Sequence, residues 1–344
     1  NSVMAGTASL VKAGPGTLKL TSAASTNTGN TTLNEGTLSL TGTGKLYSNL
    51  GWGSRTVSVN NGAMLEVDRW DGNGCLGQLD YSVGNLVING GTIRFTGNAN
   101  GTAEGQGFTI GALGATLQSD APAGQRWNIN LDVRFSNTNY GIASNSGGML
   151  NLTGTGNGLI SKVIPGNGGL TKSGAGTWSL TNTNTYTGDT TVNGGILSLG
   201  NGTSPTGLAN TAHVIVASNA KLNLNYTGTD VVNQLWLGGT RMPANVYSSS
   251  NYPTYFTGNG TLTVNDVSAT GSYTAWSGQF GNNLSGGPSD DDDSDGIANL
   301  LEYVLGGNPK TPSAGILPTA TATAGNLVFT FRRIHSTTAD TTQV

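Results

Sequence analysis

The chain has 344 residues, 55 of them glycine, with 10% charged residues and a formal net charge of −3. An ordinary globular domain has roughly 25% charged residues and about 7% glycine. Its basic residues form no stripe, which excludes nucleic-acid binding, and no apolar run approaches the ~20 residues of a membrane span. An apolar fraction of 35%, spread evenly along the chain, argues against disorder and favours a repetitive β architecture.

One short pattern recurs along the first three quarters of the chain: a glycine or asparagine followed by alternating apolar and polar residues. Alternation with period two indicates a strand with one buried face, and the preceding Gly or Asn supplies the positive φ of a tight turn. Copies begin at Gly16, Gly36, Gly91, Gly148, Gly176, Gly195, Asn219 and Gly260.

Successive copies are commonly about 20–28 residues apart, a spacing typical of solenoid repeats. A second short strand precedes many copies, so each coil contains two or three strands. A β-sandwich also consists of short strands, but repetition in phase favours coils stacked in parallel. We expect about ten coils, rising ~4.8 Å each.

The strongest internal repeat joins residues 10–36 and 170–195, which match over almost their whole length with one deletion. Residues 174–195 resemble the autotransporter-associated β-strand repeat, closely over 166–200 and less strictly over 6–40. That resemblance implies a right-handed parallel β-helix in a large secreted bacterial passenger protein. We therefore expect an all-β solenoid over residues 1–266, secreted or held at the cell surface.

Residues 290–302 follow the template of a calcium-binding loop, in which alternate Asp side chains direct oxygens inward and Gly296 permits the sharp bend. The loop resembles the lone Asp-rich loops of thrombospondin type 3 and dockerin repeats. Together with the helix that follows, it also resembles the C-termini of secreted proteins of Verrucomicrobia-type bacteria. The predicted Ca²⁺ ligands are Asp291, Asp293, Asp295, the carbonyl of Ile297, Asn299 and Glu302.

An alternative interpretation is a solvated acidic loop whose aspartates stabilise the N-terminus of the next helix without a metal. The helix is expected over 297–305, ended by Gly306-Gly307, within a linker and loop segment at 267–310. In the last segment, 311–344, the pattern of residues 325–334 predicts a β-strand. The sequence shows no second strand for it to pair with. We expect it to pair with another subunit or an exposed solenoid edge; the alternative is that it folds back on its own rod.

Catalytic groups are sparse, so the chain is not expected to be an enzyme. Neither histidine, His213 or His335, lies near a Ser or Cys nucleophile pattern, and Cys75 is expected to be a small buried hydrophobe. The densest mixed cluster spans residues 66–71, where Glu66 and Asp68 share one face of a strand. The cluster consists of Glu66, Asp68, Arg69, Trp70 and Asp71.

Two further pairs of residues are candidates for binding a sugar through ring stacking and hydrogen bonds. They are Arg126 with Trp127 and Asp132 with Arg134. The leading hypothesis is nevertheless an extracellular structural or adhesive solenoid that self-associates as a surface or fibre subunit. The alternative is a β-helix that binds or cleaves polysaccharide, and a surface glycan is the expected ligand in that case.

Overall fold

The computed structural model of the protein describes residues 4–23, 25–47, 55–70, 75–76, 85–97, 107–129, 142–145, 147–205, 207–265, 273, 277, 284, 287–323 and 326–330. The chain divides into two compact units, Asn1–Asn265 and Asp266–Val344. Each unit is described by itself.

The first unit consists of three long sheets of short strands. Sheet 1 has six parallel strands: β2 (Leu10–Lys12), β5 (Thr31–Leu33), β7 (Val57–Asn60), β9 (Leu86–Asn89), β11 (Phe108–Ile110) and β14 (Ile142–Asn145). Sheet 3 also has six parallel strands: β13 (Arg126–Ile129), β16 (Asn157–Ile160), β18 (Thr177–Leu180), β20 (Gly195–Leu199), β22 (Ala220–Leu224) and β27 (Phe256–Gly258).

Sheet 2 has eleven strands and runs through the whole unit. Ten of them are parallel: β3 (Thr17–Lys19), β6 (Gly36–Leu40), β8 (Ala63–Val67), β10 (Thr92–Phe95), β12 (Ala115–Ser119), β15 (Leu150–Thr153), β17 (Leu170–Lys172), β19 (Thr190–Val192), β21 (His213–Val216) and β24 (Gln234–Leu237). These ten strands correspond to ten coils among the described residues, and the predicted parallel β-helix is confirmed.

Register aligns the inward side chains of successive coils in continuous columns. In sheet 2 one column of buried residues passes through nine coils. Its members are Leu38, Leu65, Ile93, Leu117, Leu152, Lys172, Val192, Val216 and Leu237. Because most strands alternate buried and partly exposed residues, the period-two pattern of the sequence creates both the interior and the outer wall.

Glycines at the corners have left-handed backbone conformations and close neighbours. Gly36 and Gly195 have φ values of 69° and 62°. A Cβ at Gly36 would overlap the carbonyl oxygens of Gly14 and Gly16 in the adjacent coil. Only glycine satisfies both the backbone conformation and the close stacking of coils there.

The two matching segments of the sequence lie on different faces of the solenoid. Strands β2 and β5 of the first segment lie in sheet 1, whereas their sequence equivalents β17 and β19 lie in sheet 2. Likewise β3 and β6 lie in sheet 2, whereas β18 and β20 lie in sheet 3. The repeat is therefore displaced by one face between its two copies.

Antiparallel strands appear at the C-terminal end of the solenoid. Strand β25 (Thr240–Met242) pairs antiparallel with β24. Strand β26 (Val246–Tyr247) pairs antiparallel with β28 (Thr261–Val264), which is also paired with β23 (Thr229–Val232). At the other end a small parallel sheet joins β1 (Ala5–Gly6) and β4 (Thr26–Asn27). Strand β25 ends the parallel stacking of coils in sheet 2.

The described part of the second unit contains one α-helix, α1 (Asn299–Leu305), and a 3₁₀ turn at Ala314–Ile316. The helix begins two residues later than expected and ends, as expected, at Gly306, whose φ of 83° lets its N–H bond to the Glu302 carbonyl. A hairpin follows, formed by β29 (Thr319–Thr323) and β30 (Asn326–Thr330).

The expectation that the C-terminal strand has no partner in the sequence is wrong over its described residues. Asn326–Thr330 pairs antiparallel with Thr319–Thr323, from Thr330 opposite Thr319 to Asn326 opposite Thr323. The partner strand alternates Thr and Ala and contains no large apolar residue, so its pattern is not typical of a half-buried strand. Residues 331–334 of the predicted strand lie outside the described residues.

Candidate functional site

The acidic loop of the second unit brings three aspartates together. One carboxylate oxygen from each of Asp291, Asp293 and Asp295 lies within 4.8 Å of the others, and all three side chains are half-buried. The backbone bends tightly there: Ser294 and Gly296 have φ values of 61° and 86°. The alternating aspartates of the sequence therefore form a cluster, as the loop template predicts.

Backbone N–H groups hold these carboxylates in place. The Asp295 N–H donates to Asp291 Oδ1 and to Asp293 Oδ1, both at 3.2 Å. The Gly296 N–H donates to Asp291 Oδ2 at 2.7 Å, and the Ile297 N–H donates to Asp295 Oδ1 at 2.8 Å. These bonds fix the direction of each side chain.

Helix α1 contributes Glu302, whose side chain is fully buried. Neither Glu302 carboxylate oxygen has a hydrogen-bond partner among the described residues. The neighbouring Ser313 hydroxyl instead donates to the Thr311 carbonyl at 3.1 Å and accepts the Asn308 N–H at 3.0 Å. Glu302 is therefore a buried acid that lies beside the Ser313 side chain.

Two carboxyl groups of the loop have raised pKa values. Burial raises the pKa of Glu302, the nearby Ser313 side chain lowers it, and the negative charges of Asp293, Asp295 and Asp291 raise it again. Loss of solvent also raises the pKa of Asp293, with the charges of Asp295 and Asp291 acting in the same direction. Glu302 is thus electrostatically coupled to the aspartate cluster.

The other two predicted ligands, Ile297 and Asn299, are both buried. The Asn299 amide Nδ2 donates to the Gly287 carbonyl and to Asp292 Oδ1, each at 3.2 Å. The Asn299 Oδ1 accepts the Asp292 N–H at 3.4 Å. The structure thus uses the Asn299 side chain to close the loop.

Two contacts in the loop come from residues that the sequence pattern does not mark. The Lys310 ammonium lies 3.0 Å from Asp292 Oδ2. The Ser313 N–H donates to Asp295 Oδ2. Both contacts join the loop to a segment about 18 residues downstream. The spacing of residues within the loop therefore cannot predict these contacts.

On the solenoid, Glu66 and Asp68 have separate partners. Glu66 Oε2 lies 3.1 Å from Arg94 Nη1, and Arg94 Nε lies 2.7 Å from Asp120 Oδ2, so ion pairs join three coils. Asp68 Oδ2 accepts the Gly42 N–H at 2.5 Å. These contacts favour a structural role over the joint chemical role considered for the two carboxylates.

The remainder of that cluster is also held by neighbouring groups. Arg69 Nε lies 3.2 Å from Asp68 Oδ1, and the Cys75 thiol donates to the same oxygen at 3.3 Å. Cys75 is buried, as expected, and burial raises the pKa of its thiol. Trp70 is buried inside the coil.

Trp127 is not available to stack on a sugar, which corrects the expectation for Arg126 and Trp127. Its side chain is fully buried in the interior of the solenoid. Its ring packs against Phe95, Trp70 and Trp178 at centroid distances of 5.5, 5.1 and 5.9 Å. The inward phase of β13 places Trp127 in the core.

His213 is positioned by Asp189, whose Oδ2 lies 3.6 Å from His213 Nδ1 and whose Oδ1 accepts the His213 N–H at 2.8 Å. The other candidates, Asp71, Asp132, Arg134 and His335, lie outside the described residues. Within the described part of the chain, no helix is long and apolar enough to cross a membrane.

Two buried lysines, Lys12 and Lys172, are not marked by the sequence pattern. The Lys172 ammonium donates to the carbonyl oxygens of Ser173, Gly174 and Gly194 at 2.7, 3.0 and 2.9 Å. Lys12 forms the equivalent contacts in the first repeat. A lysine at the same position of both matching segments is the signal that could have identified them.

Comparison with known proteins agrees with the repeats. Residues 10–40 and 170–199 match the family described as passenger-associated-transport-repeat. A curated relative, the adhesin BmaC autotransporter of Brucella suis biovar 1 (strain 1330), is 30% identical over 151 residues. That alignment covers 44% of this chain and 4% of the relative, so the chain spans a small part of the relative's length. No solved structure matches the chain.

The fold and these comparisons support a passenger-type protein with autotransporter-associated repeats. The predicted location is confirmed: the protein is secreted or displayed at the cell surface. The repeat family and the adhesin relative also favour a non-enzymatic protein.

Proposed function

We propose that this chain is an adhesive segment of an extracellular passenger, in which the outer wall of the solenoid contacts the target surface. The observation that carries the proposal is the solenoid itself, in which outward polar side chains lie in register over five consecutive coils of sheet 2. One outward column of sheet 2 contains Thr92, Thr116, Asn151, Thr171 and Thr191. The name of the adhesin relative supports the same role.

A rod of this kind presents many weak polar contacts at a fixed spacing. Backbone bonds between coils hold the outward side chains ~4.8 Å apart along the axis. Because these side chains are already ordered, binding to an extended surface costs little conformational entropy. The ion pairs of Glu66, Arg94 and Asp120 stiffen the same wall across three coils.

Attachment under flow tests this proposal. Beads coated with the purified chain are passed over cell layers, matrix proteins and immobilised polysaccharides, beside beads coated with a protein of equal net charge. We expect retention of the chain-coated beads on at least one surface. Retention no greater than that of the control beads, or release of soluble oligosaccharide from a polysaccharide, would contradict an adhesive role.

Matched double variants identify the face that binds. Thr171→Lys with Thr191→Lys changes the outer side of sheet 2, and Thr177→Lys with Ser179→Lys changes the outer side of sheet 3. All four side chains point outward, so the fold should be retained. Loss of attachment in one variant and not in the other is the expected result. Equal attachment of both variants and the parent would contradict binding through either wall.

We also propose that the protein self-associates, through an apolar side chain on the outer wall of sheet 1. Strand β2 exposes Val11 there, and its side chain is 59% accessible. Sedimentation of the chain and of Val11→Lys tests this: weaker association in the variant is expected, and a parent that stays monomeric at all concentrations contradicts it.

A further inference from the structure

The outer wall of sheet 2 carries an indole near the C-terminal end of the solenoid. Its outward column runs from Thr191 on β19 through Ile215 on β21 to Trp236 on β24. All three residues are half-buried, whereas Leu235 and Leu237, on either side of Trp236 in β24, are buried in the core. The phase of β24 therefore directs the Trp236 side chain outward.

Trp236 differs from the tryptophans of the interior. Trp70, Trp127 and Trp178 are buried, and the ring of Trp127 packs against the other two. Within the described part of the chain, no aromatic ring packs on Trp236, and its Nε1–H group donates no hydrogen bond. A half-buried indole of this kind offers a ligand a flat apolar surface and an unused donor.

Two hydroxyl groups lie beside the end of the same strand. A Cβ at Gly238, two residues after Trp236, would overlap the Tyr255 hydroxyl and would lie 3.1 Å from Ser218 Oγ. Neither hydroxyl has a hydrogen-bond partner among the described residues. Because Gly238 has no side chain, both hydroxyl groups lie close to the strand that carries Trp236 and are able to bond to a ligand.

A polar pair lies on the same wall, toward the beginning of the strands. Asp189 and His213 precede Thr191 and Ile215 by two residues each, so they share the outward phase of that column. Asp189 Oδ2 lies 3.6 Å from His213 Nδ1, and the two side chains are 48% and 37% accessible. Polar groups therefore border the Trp236 ring at both ends of its strand.

We propose that the outer wall around Trp236 binds a sugar ring of a polysaccharide. The apolar C–H face of the ring lies on the indole, and the sugar hydroxyl groups bond to the polar side chains at both ends of the strand. These side chains are Asp189, His213, Ser218 and Tyr255. The inference rests on the proposed adhesive function and names the ligand class that this function requires.

The chemistry of this surface favours a sugar over a protein partner. A sugar ring has an apolar face and an edge of hydroxyl groups, which matches one aromatic ring bordered by a few polar groups. The centre of a protein–protein interface is depleted in charged residues and more apolar than its rim. Here Asp189 and His213 lie next to the column of Trp236 and remain accessible.

Electrophoresis of the full chain through gels that contain dextran, mannan, galactan or alginate tests the site. We expect at least one of these polysaccharides to retard the parent. Binding should be roughly ten-fold weaker or more in Trp236→Ala, and Trp236→Phe, which keeps an aromatic ring, should retain part of it. Val87→Ala is the matched control, because Val87 is a half-buried outward apolar residue of sheet 1 and should bind like the parent.

Tyr255→Phe tests the polar border without removing a ring. Loss of one hydrogen bond to the sugar should weaken binding about two-fold to ten-fold. Urea unfolding separates this effect from loss of folding: the midpoints of Tyr255→Phe and Trp236→Phe should match that of the parent, because both substitutions keep an aromatic side chain in place.

Three results would overturn the sugar site: no retardation of the parent in any of the four gels, equal retardation of Trp236→Ala and the parent, or an equal loss in Val87→Ala. Attachment of beads to a matrix protein that depends on Trp236, without retardation by any polysaccharide, would also overturn it and would indicate a protein ligand. Failure of the adhesive role is a different result. In that case beads coated with the parent do not attach, whereas attachment that Trp236→Ala retains in full contradicts only the sugar site.

Discussion

Individual side chains at the corners of the solenoid bind successive coils together. Lys172 is fully buried, and its ammonium bonds to carbonyls of its own coil and to that of Gly194 in the next. A buried ammonium is costly unless each of its protons has an acceptor, and here there are three acceptors for three protons. One lysine therefore closes the corner where chain direction changes.

Lys172→Met should destabilise the solenoid, because three carbonyl oxygens lose their donor, at a cost of about 1–3 kcal/mol. Burial lowers the pKa of Lys172 from 10.5 to about 8. Between about pH 8 and pH 10.5 this lysine is protonated in the unfolded chain and largely deprotonated in the folded chain. The free energy of unfolding therefore rises with pH over this range, by up to about 3 kcal/mol.

Lys172→Met lacks this rise. The difference in free energy of unfolding between the parent and the variant should therefore be greater at pH 10 than at pH 7. Urea unfolding at both pH values measures it. Lys19→Met, at an exposed position, is the control and should change stability little. An identical deficit for Lys172→Met at both pH values would argue against a titrating ammonium at this corner.

Gly158 illustrates a second role for glycine, which is to leave space inside the core. It lies in register between Trp127 and Trp178 in sheet 3, and a Cβ at this position would overlap the Trp178 ring. Gly158→Ala is therefore expected to lower the free energy of unfolding by about 1–3 kcal/mol.

The control for this prediction is Gly16→Ala, because a Cβ at Gly16 has no neighbour within 4 Å. That substitution should be neutral or slightly stabilising. Denaturant unfolding of both variants checks the comparison. A Gly158→Ala protein as stable as the parent would show that the aromatic core can rearrange around the added methyl group.

At the scale of elements, period-two alternation and Gly or Asn corners were enough to predict the strands and the parallel stacking. They were not enough to predict which sheet each strand joins. The segments 10–36 and 170–195 have nearly the same sequence, yet they differ by one face. The alternation is the same in all three sheets, so it does not indicate which face a strand joins.

Local sequence patterns also do not predict contacts between distant segments, as the acidic loop and Trp127 illustrate. Local spacing predicted the clustering of Asp291, Asp293 and Asp295, because those residues are consecutive alternate positions. It could not predict the use of the Asn299 amide, nor the contact from Ser313, because those bonds depend on how distant segments pack. Likewise, Trp127 became buried because the phase of β13 points it inward.

At the scale of the whole chain, stability in the solenoid is the sum of contacts between neighbouring coils. The inward column of sheet 2 extends through nine coils, so no single coil holds the core by itself. The outer wall repeats at the same rise, and the proposed adhesive role depends on that regularity. Both the stability of the solenoid and the proposed adhesion therefore depend on coil stacking in the described register.

Distances between spin labels test that register most directly. In a Cys75→Ala background, labels at Thr37→Cys and Thr191→Cys lie in one outward column, six coil steps apart. At ~4.8 Å per step, the expected mean separation is about 29 Å. Labels at Thr32→Cys and Thr191→Cys, which are equivalent in the repeat but lie on different faces, should be farther apart. The proposed stacking would be contradicted if the Thr37 and Thr191 labels were not separated by about six coil steps. It would also be contradicted if the Thr32 and Thr191 labels were closer together than the Thr37 and Thr191 labels.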